Sequence, residues 1–470
     1  MKDHERRIRY WRPGVLTALL AVAAALLLDS GAQAGLKFPP AQTLSSGQNA
    51  SGATVAVDSQ DRATVAWWRL DGANQMIESV RLGADGVPGE VNILLSNAGD
   101  RFIGPQVAVD PQGSATVVWE RDTDVFGDSG CSAGSFPTCV QAIRVDAEGR
   151  PGSVQTLSSF DTPERDPDLG GPGDGPRVAV DSQGRATVVW RRTEYTASGV
   201  QSRVQSARLG ADGAAGEVQT LSGDGAGDPK LAMDSLGRAT VVWPRFDGTK
   251  TRIESVSLGA DGTPGEVKAL SKRGQSADFP QVAVDPRGRA TVVWRRTDRG
   301  KRRIQSLNVG ADGSPGAVKT LAKSGDLRPQ VAVDPRGRAT VVWRRIKQTK
   351  RALVIRVKSV RLGAGGNPRA IKTLSKSRAS TPQVAVDRRG RATVVWDRLR
   401  LHGKRGISVI EARRLGADGI PQAVQSLSKG EGVGSPQVAV DSKGRPTIVW
   451  AQSDLSIGGL IQSTRGRDRR

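Results

Sequence analysis

Histidine is almost absent from this chain. Its 470 residues hold two, and only His402 lies beyond the first few residues. A Ser-His-Asp triad or a histidine-rich zinc site needs more than one, and no serine-nucleophile motif accompanies it. Cysteine is equally scarce, with Cys131 and Cys139 the only two. Aromatic residues make up 4% of the chain, and most are Trp. Long apolar runs are missing as well. The longest spans residues 15–28, which is too short to cross a bilayer comfortably.

That run has a more specific reading. Lys2, Arg6, Arg7, Arg9 and Arg12 precede it, and Ala32-Gln33-Ala34 follows as a small-x-small cleavage site. Positive, apolar and small segments in this order form a secretory signal peptide. Residues 1–34 are therefore expected to be removed, leaving a secreted, periplasmic or cell-surface protein that is not integral to the membrane. Export suits the cysteines, which lie in one Gly/Ser-rich insertion and are expected to pair as a local disulfide.

What is present in abundance is Gly (57), Pro (25) and positive charge, a net of +22. Frequent turns without a collagen-like period suit an all-β chain. The charge is polarised along the chain. Residues 35–240 carry 17 basic and 26 acidic side chains, whereas residues 241–470 carry 47 and 18. Such asymmetry points to an anionic partner for one side of the molecule.

Self-alignment shows eight copies of one unit. Its Trp recurs as Trp67, Trp119, Trp190, Trp243, Trp294, Trp343, Trp396 and Trp450. Nine positions before each stands an Asp: Asp58, Asp110, Asp181, Asp234, Asp285, Asp334, Asp387 and Asp441. Each unit predicts four strands. The first ends in Val-Ala-Val-Asp, and a tight turn with Gly follows, replaced once by Asp61. The second, Ala-Thr-Val-Val-Trp, is apolar on both faces, as a strand between two sheets must be. Four short strands in about 50 residues are a propeller blade. The last unit lacks its fourth strand, while residues 42–45, Gln-Thr-Leu-Ser, form an orphan fourth strand near the start. The expected fold is an all-β, eight-bladed propeller over residues 35–463, closed by its N-terminal strand. Residues 464–470 are expected to be a disordered basic tail.

The Val-Ala-Val-Asp-x-x-Gly hairpin with its apolar second strand resembles bacterial extracytoplasmic propellers of NHL-type or related repeats. Two departures are a longer unit and a Trp where that family often has an acidic residue. The hairpin is also distantly similar to the Asp-box of sialidase-like propellers, with an Asp-to-Gly spacing one residue too long.

In such a blade the 1–2 and 3–4 turns share one face, and that face is near-uniform here. The 2–3 loops and the blade connections share the other and carry the variation, which is where function usually resides. The basic constellation falls there: Arg295, Arg296, Arg302 and Arg303 in unit five, Arg344, Arg345, Lys350 and Arg351 in unit six, Arg398, Arg400, Lys404 and Arg405 in unit seven. Arg suits carboxylate, sulfate and phosphate. The expected function is an exported, non-catalytic binding module for an anionic glycan, envelope polymer or protein partner. Almost no aromatics accompany these loops, so specific nucleic-acid binding is not expected.

The acidic loops hold Glu120, Asp122, Asp124 and Asp128, then Asp161, Glu164, Asp166, Asp168 and Asp174. Their oxygens could serve Ca²⁺, but no Asp-x-Asp-x-Asp-Gly spacing is present, so no cofactor is expected. The Trp series is read as blade packing and the Asp series as turn caps. The alternative function is a sialidase-like or other glycoside-active enzyme, for which Tyr195 and Glu194 would be the candidate pair.

Overall fold

In the computed structural model, the described residues are 36–98, 100–123, 137–161, 175–196, 199–323, 326–349, 352–402, 405–428, 432–454 and 458–468. They form eight four-stranded antiparallel sheets arranged in a ring, a β-propeller, with no helix among them. The expected leader, residues 1–34, lies outside the described residues. Among those described, no helix is long and apolar enough to cross a membrane.

Each blade runs from the central channel outward as a meander. Blade 5 is typical: Ser276–Val284, Ala290–Asp298, Lys301–Val309 and Lys319–Ala322. The outermost strand is only two residues long in blades 3, 4, 6 and 8, which blunts those exposed edges. Blade 8 combines Val433–Val440, Pro446–Asp454 and Gly458–Arg465 with Gln42–Thr43, so the N-terminal strand closes the ring as expected.

The core lies between blades. Strand two is buried on both faces: Val292 packs toward blade 4 and Val293 toward blade 6. All eight repeat Trp side chains are at most 1% exposed, each wedged against residues of the preceding blade. Trp67 does the same across the seam, against Val449, Ile461 and Leu44. The Trp series is therefore interblade packing.

The Asp series caps the 1–2 turns. Asp285 Oδ1 accepts the N–H groups of Arg287 (2.9 Å) and Arg289 (3.0 Å). Gly288 sits at φ 79° between them, and an added Cβ would lie 2.5 Å from Arg238 Nη2 of the preceding blade. Asp61 holds that position in blade 1 at φ 65°. Instead of nesting, its carboxylate accepts the backbone N–H of Ser442 (2.8 Å) and pairs with Lys443 (3.2 Å), fastening the seam.

Two expectations need correction. Strand three of blade 8 runs on through Thr464 and Arg465, because Arg465 is buried against Asp441 (2.8 Å). Arg467–Asp468 then form a two-residue strand paired with Leu36–Lys37, so the expected disordered tail does not begin at 464. The basic 2–3 "loops" are also strands. Strand two does not stop at Trp294 but continues to Asp298, and only Arg299 and Gly300, both at positive φ (47° and 74°), make the turn. Paired turn residues of this kind match the twist of the flanking strands and let the ladder propagate.

Candidate functional site

Strand geometry decides where the basic side chains point, since successive residues face opposite sides. In blade 5, Arg296 and Arg303 are cross-strand partners on one face; Arg295 and Arg302 stand on the other. In blade 6, Arg345 lies opposite Arg356, and Arg344 opposite Val357. The expected arginines of blades 5 and 6 whose side chains are described thus stand on both faces of their blades. Lys350, Arg351 and Lys404 lie outside the described residues, as does the side chain of Arg405.

Several of the others are already engaged. Arg295 pairs with Asp278 (Nε–Oδ1 2.6 Å) and covers the Phe279 ring at 4.5 Å. Arg296 pairs with Asp298 at 2.9 Å. Arg398 and Arg400 both bind Glu411, at 2.9 and 2.8 Å. Burial opposes the charge on Glu411, but hydrogen bonds from Arg400, Arg398 and Trp396 outweigh it and hold its carboxyl below the usual range. Arg344 donates to Ser380 Oγ (2.9 Å), and burial, with Arg328 beside it, lowers its guanidinium pKa.

A second series emerges from this geometry. Trp-x-Arg occurs in seven of the eight units, a pattern visible in the sequence but not singled out there. Six of these arginines have a carboxylate partner: Arg69 with Glu78, Arg121 with Asp100, Arg192 with Glu194, Arg245 with Glu254, Arg296 with Asp298 and Arg398 with Glu411. Arg345 is the exception among the described residues. Its cross-strand neighbour is another arginine, Arg356, and exposed Lys347 lies on the same face. Asp326 neighbours Arg345 on strand one, with its side chain outside the described residues. Like charges directly opposite destabilise a ladder unless something neutralises them.

The opposite face of the disc is basic too, but much of that charge is structural. Arg338 and Arg361 both bind the buried Asp334, at 2.7 and 2.9 Å, and the same arrangement recurs in other blades.

Glu194 is tied to Arg192 at 2.6 Å, and the side chains of Tyr195 and His402 lie outside the described residues. Cys139 is buried on strand three of blade 2, whereas Cys131 lies outside the described residues. Of the acidic-loop carboxylates, only Glu120 and Asp122 have described side chains. Among the described residues no group of three His, Cys, Asp or Glu could hold a metal ion.

Glu120 follows Trp119 and faces blade 3. Burial pushes its carboxyl up to about 7; Arg191 pulls it down, and Asp228 and Asp122 add to the rise. The folded chain therefore keeps a proton that the unfolded chain loses near the ordinary value. Stability from this site is full below that value and is lost as pH rises toward 7. Each pKa unit corresponds to about 1.4 kcal/mol, and with part of the residue still exposed a net of about 1–2 kcal/mol is expected. Glu120→Gln should match the parent at pH 4 and exceed it by that amount at pH 8 in urea unfolding. Identical differences at both pH values would contradict the assignment.

No protein-family model matches the chain, and no curated protein matches it. Solved structures do. A protein of unknown function from Dyadobacter fermentans is 12% identical, covering 93% of this chain and 100% of its own, with a TM-score of 0.45. The polysaccharide lyase Uly1 is 8% identical, covering 89% and 90%, with a TM-score of 0.45. The β-propeller domain of the Trilobed protease from Pyrococcus furiosus, described as having an open velcro topology, is 9% identical, covering 82% and 97%, with a TM-score of 0.42. At these identities and TM-scores the likenesses carry no argument about the chain. The resemblance to propellers holds at a coarse level on the eight four-stranded sheets themselves, and nothing ties the chain to NHL-type repeats.

Proposed function

We propose that the protein is an exported, non-catalytic binding propeller that holds an anionic polymer on the 2–3 hairpins of blades 5 and 6. The leader at residues 1–34 and a Cys131–Cys139 disulfide belong to this reading. The observation that carries it is Arg345. In six other blades the equivalent arginine has its carboxylate within the fold; among the described residues Arg345 has none, and Arg356 and Lys347 lie beside it. A chain of sulfates or carboxylates supplies the missing charge, with Arg302 of blade 5 exposed nearby in the ring order. Blade 7 contributes less than its composition suggests, because Glu411 already holds Arg398 and Arg400.

Immobilised dextran sulfate tests this. The variant Arg302→Gln, Arg345→Gln, Lys347→Gln, Arg356→Gln should elute at much lower salt, with a salt slope reduced by the lost contacts. The control is Arg287→Gln, Arg336→Gln, Arg388→Gln, Arg389→Gln, four exposed residues of the 1–2 turn face carrying the same charge. It should elute like the parent. Equal shifts in both variants would reduce retention to bulk net charge and overturn the assignment.

A further inference from the structure

The turn between strands three and four of one blade packs beside the outer strands of the blade before it. Where blade 5 meets blade 6 this contact is laced. Lys319 Nζ donates to Gly365 O and to Asn367 Oδ1, both at 2.7 Å, and Asn308 Nδ2 donates to Ala364 O at 3.1 Å. Across the seam Gln42, at the position of Lys319, donates to Gly86 O at 2.7 Å.

The same junction between blades 6 and 7 is not laced, and two residue types explain it. Arg361 stands where blade 5 has Asn308, and it is drawn inward to Thr340 Oγ1 (2.8 Å) and Asp334 (2.9 Å). Ile420 stands where the blade 6 turn has Asn367, so the amide oxygen that receives Lys319 has no counterpart for Lys372. Asp418 caps its own turn, its Oδ1 accepting the Ile420 N–H at 2.9 Å.

A crevice of about 310 Å³ is left between the two blades, at the lower end of small-ligand sites. Its apolar lining is Val360 and Leu415, both buried, with Ala370 and Ile420, both exposed. Ser359 also lines it; this residue is 3% exposed, and its hydroxyl has no partner among the described residues. Three cations share the crevice with one carboxylate, Asp418. Asp334 answers the charge of Arg361. Arg369 and Lys372 are exposed, and among the described residues neither has an ion pair or a side-chain hydrogen bond. Burial lowers the guanidinium pKa of Arg361, Asp334 raises it, and Arg338 and Arg369 lower it further, so Arg369 stands close by.

Two unanswered cations beside an apolar lining select a ligand with both characters. Arg and Lys suit an oxyanion, and a small inorganic ion would leave the apolar wall wet. We infer that the crevice between blades 6 and 7 binds a short-chain aliphatic carboxylate. Arg369 and Lys372 hold the carboxylate, and the alkyl chain lies against Leu415, Val360, Ala370 and Ile420. The site is separate from the blade 5–6 hairpins and stands without them.

Hexanoate, 1-hexanol and acetate serve as probes in calorimetric titration of the full chain. Hexanoate should bind saturably and at least tenfold tighter than either of the others, since hexanol lacks the charge and acetate the chain. Arg369→Gln with Lys372→Gln should weaken hexanoate at least tenfold and erase its advantage over hexanol. Ala370→Phe keeps both cations but fills the crevice, and should abolish saturable binding. All three residues are exposed, so both variants should keep the parent's unfolding midpoint. The four-residue variant of the 1–2 turn face removes twice as much charge and should bind hexanoate like the parent. Acetate binding as tightly as hexanoate would reduce the crevice to a surface charge pair and overturn the inference. So would absence of saturable hexanoate binding, or binding indifferent to both crevice variants.

Discussion

A chain shortened to begin at residue 47 should fail to give a folded monomer. Residues 42–46 complete blade 8 and reach into blade 1. Leu44 donates its N–H to Ile461 O at 2.8 Å and is 4% exposed, and Ser46 donates to Glu78 Oε1 at 3.1 Å. Phe38 and Ala41 cover the core between blades 7 and 8. Loss of these residues uncovers Ile461 and leaves the strand Gly458–Arg465 as a bare edge. Each large apolar side chain forfeited costs about 1.5–3 kcal/mol, against a net stability of about 5–15 kcal/mol for a whole domain. A bare edge also pairs readily with other chains. Size-exclusion chromatography should show aggregate or dimer, and thermal unfolding should lose its cooperative step. A permuted chain carrying residues 38–46 after residue 465 through a flexible linker should regain both. A truncated chain that stays monomeric with an unchanged midpoint would mean that closure contributes nothing.

Asp334→Ala should cost far more than Asp285→Ala, although the two residues are equivalent by repeat. Asp334 is fully buried and holds two arginines, Arg338 at 2.7 Å and Arg361 at 2.9 Å, besides the N–H groups of Arg336 and Arg338. Asp285 holds only Arg289, because Asn308 stands where blade 6 has Arg361. Arg289 can swing into solvent when its partner goes. Arg361 cannot: it is 6% exposed, and burial already lowers its guanidinium pKa despite the Coulombic help of Asp334. An uncompensated buried cation costs about 3–5 kcal/mol. Loss of the cap and of a pair whose arginine is partly exposed costs about 1–2 kcal/mol at Asp285. Adding Arg361→Leu to Asp334→Ala should recover part of the difference in a double-mutant cycle. Equal losses at the two aspartates would remove the second arginine from the account.

Repetition made the fold legible. One Asp and one Trp at fixed spacing, written eight times around an apolar second strand, leave few architectures open. The recurrence of Gln-Thr-Leu-Ser at residues 42–45 and 219–222 exposed the closing strand without coordinates. The hairpins of blades 5 to 7 were illegible for a physical reason. Here both faces of the strand carry arginines held by local partners, so the apolar alternation that marks a strand disappears. Arg295, Arg296, Arg302 and Arg303 then look like loop, although they sit in a regular ladder.

Sequence by itself determined the eightfold unit, the buried second strand, the turn aspartates and the polarity of charge along the chain. These are local or periodic properties, set by residue type and spacing. Tertiary structure alone decided which charges remain to bind anything. Glu411 engages both Arg398 and Arg400 across a register that composition does not encode, and Arg345 is left facing Arg356 by the same rule. It also gathered Gln281, Gln330, Gln383 and Gln437, each about 50 residues from the next, around one cavity with Arg177 and Lys230. Only closure of the ring turns a recurring letter into a lining, because side chains that far apart along the chain meet nowhere else.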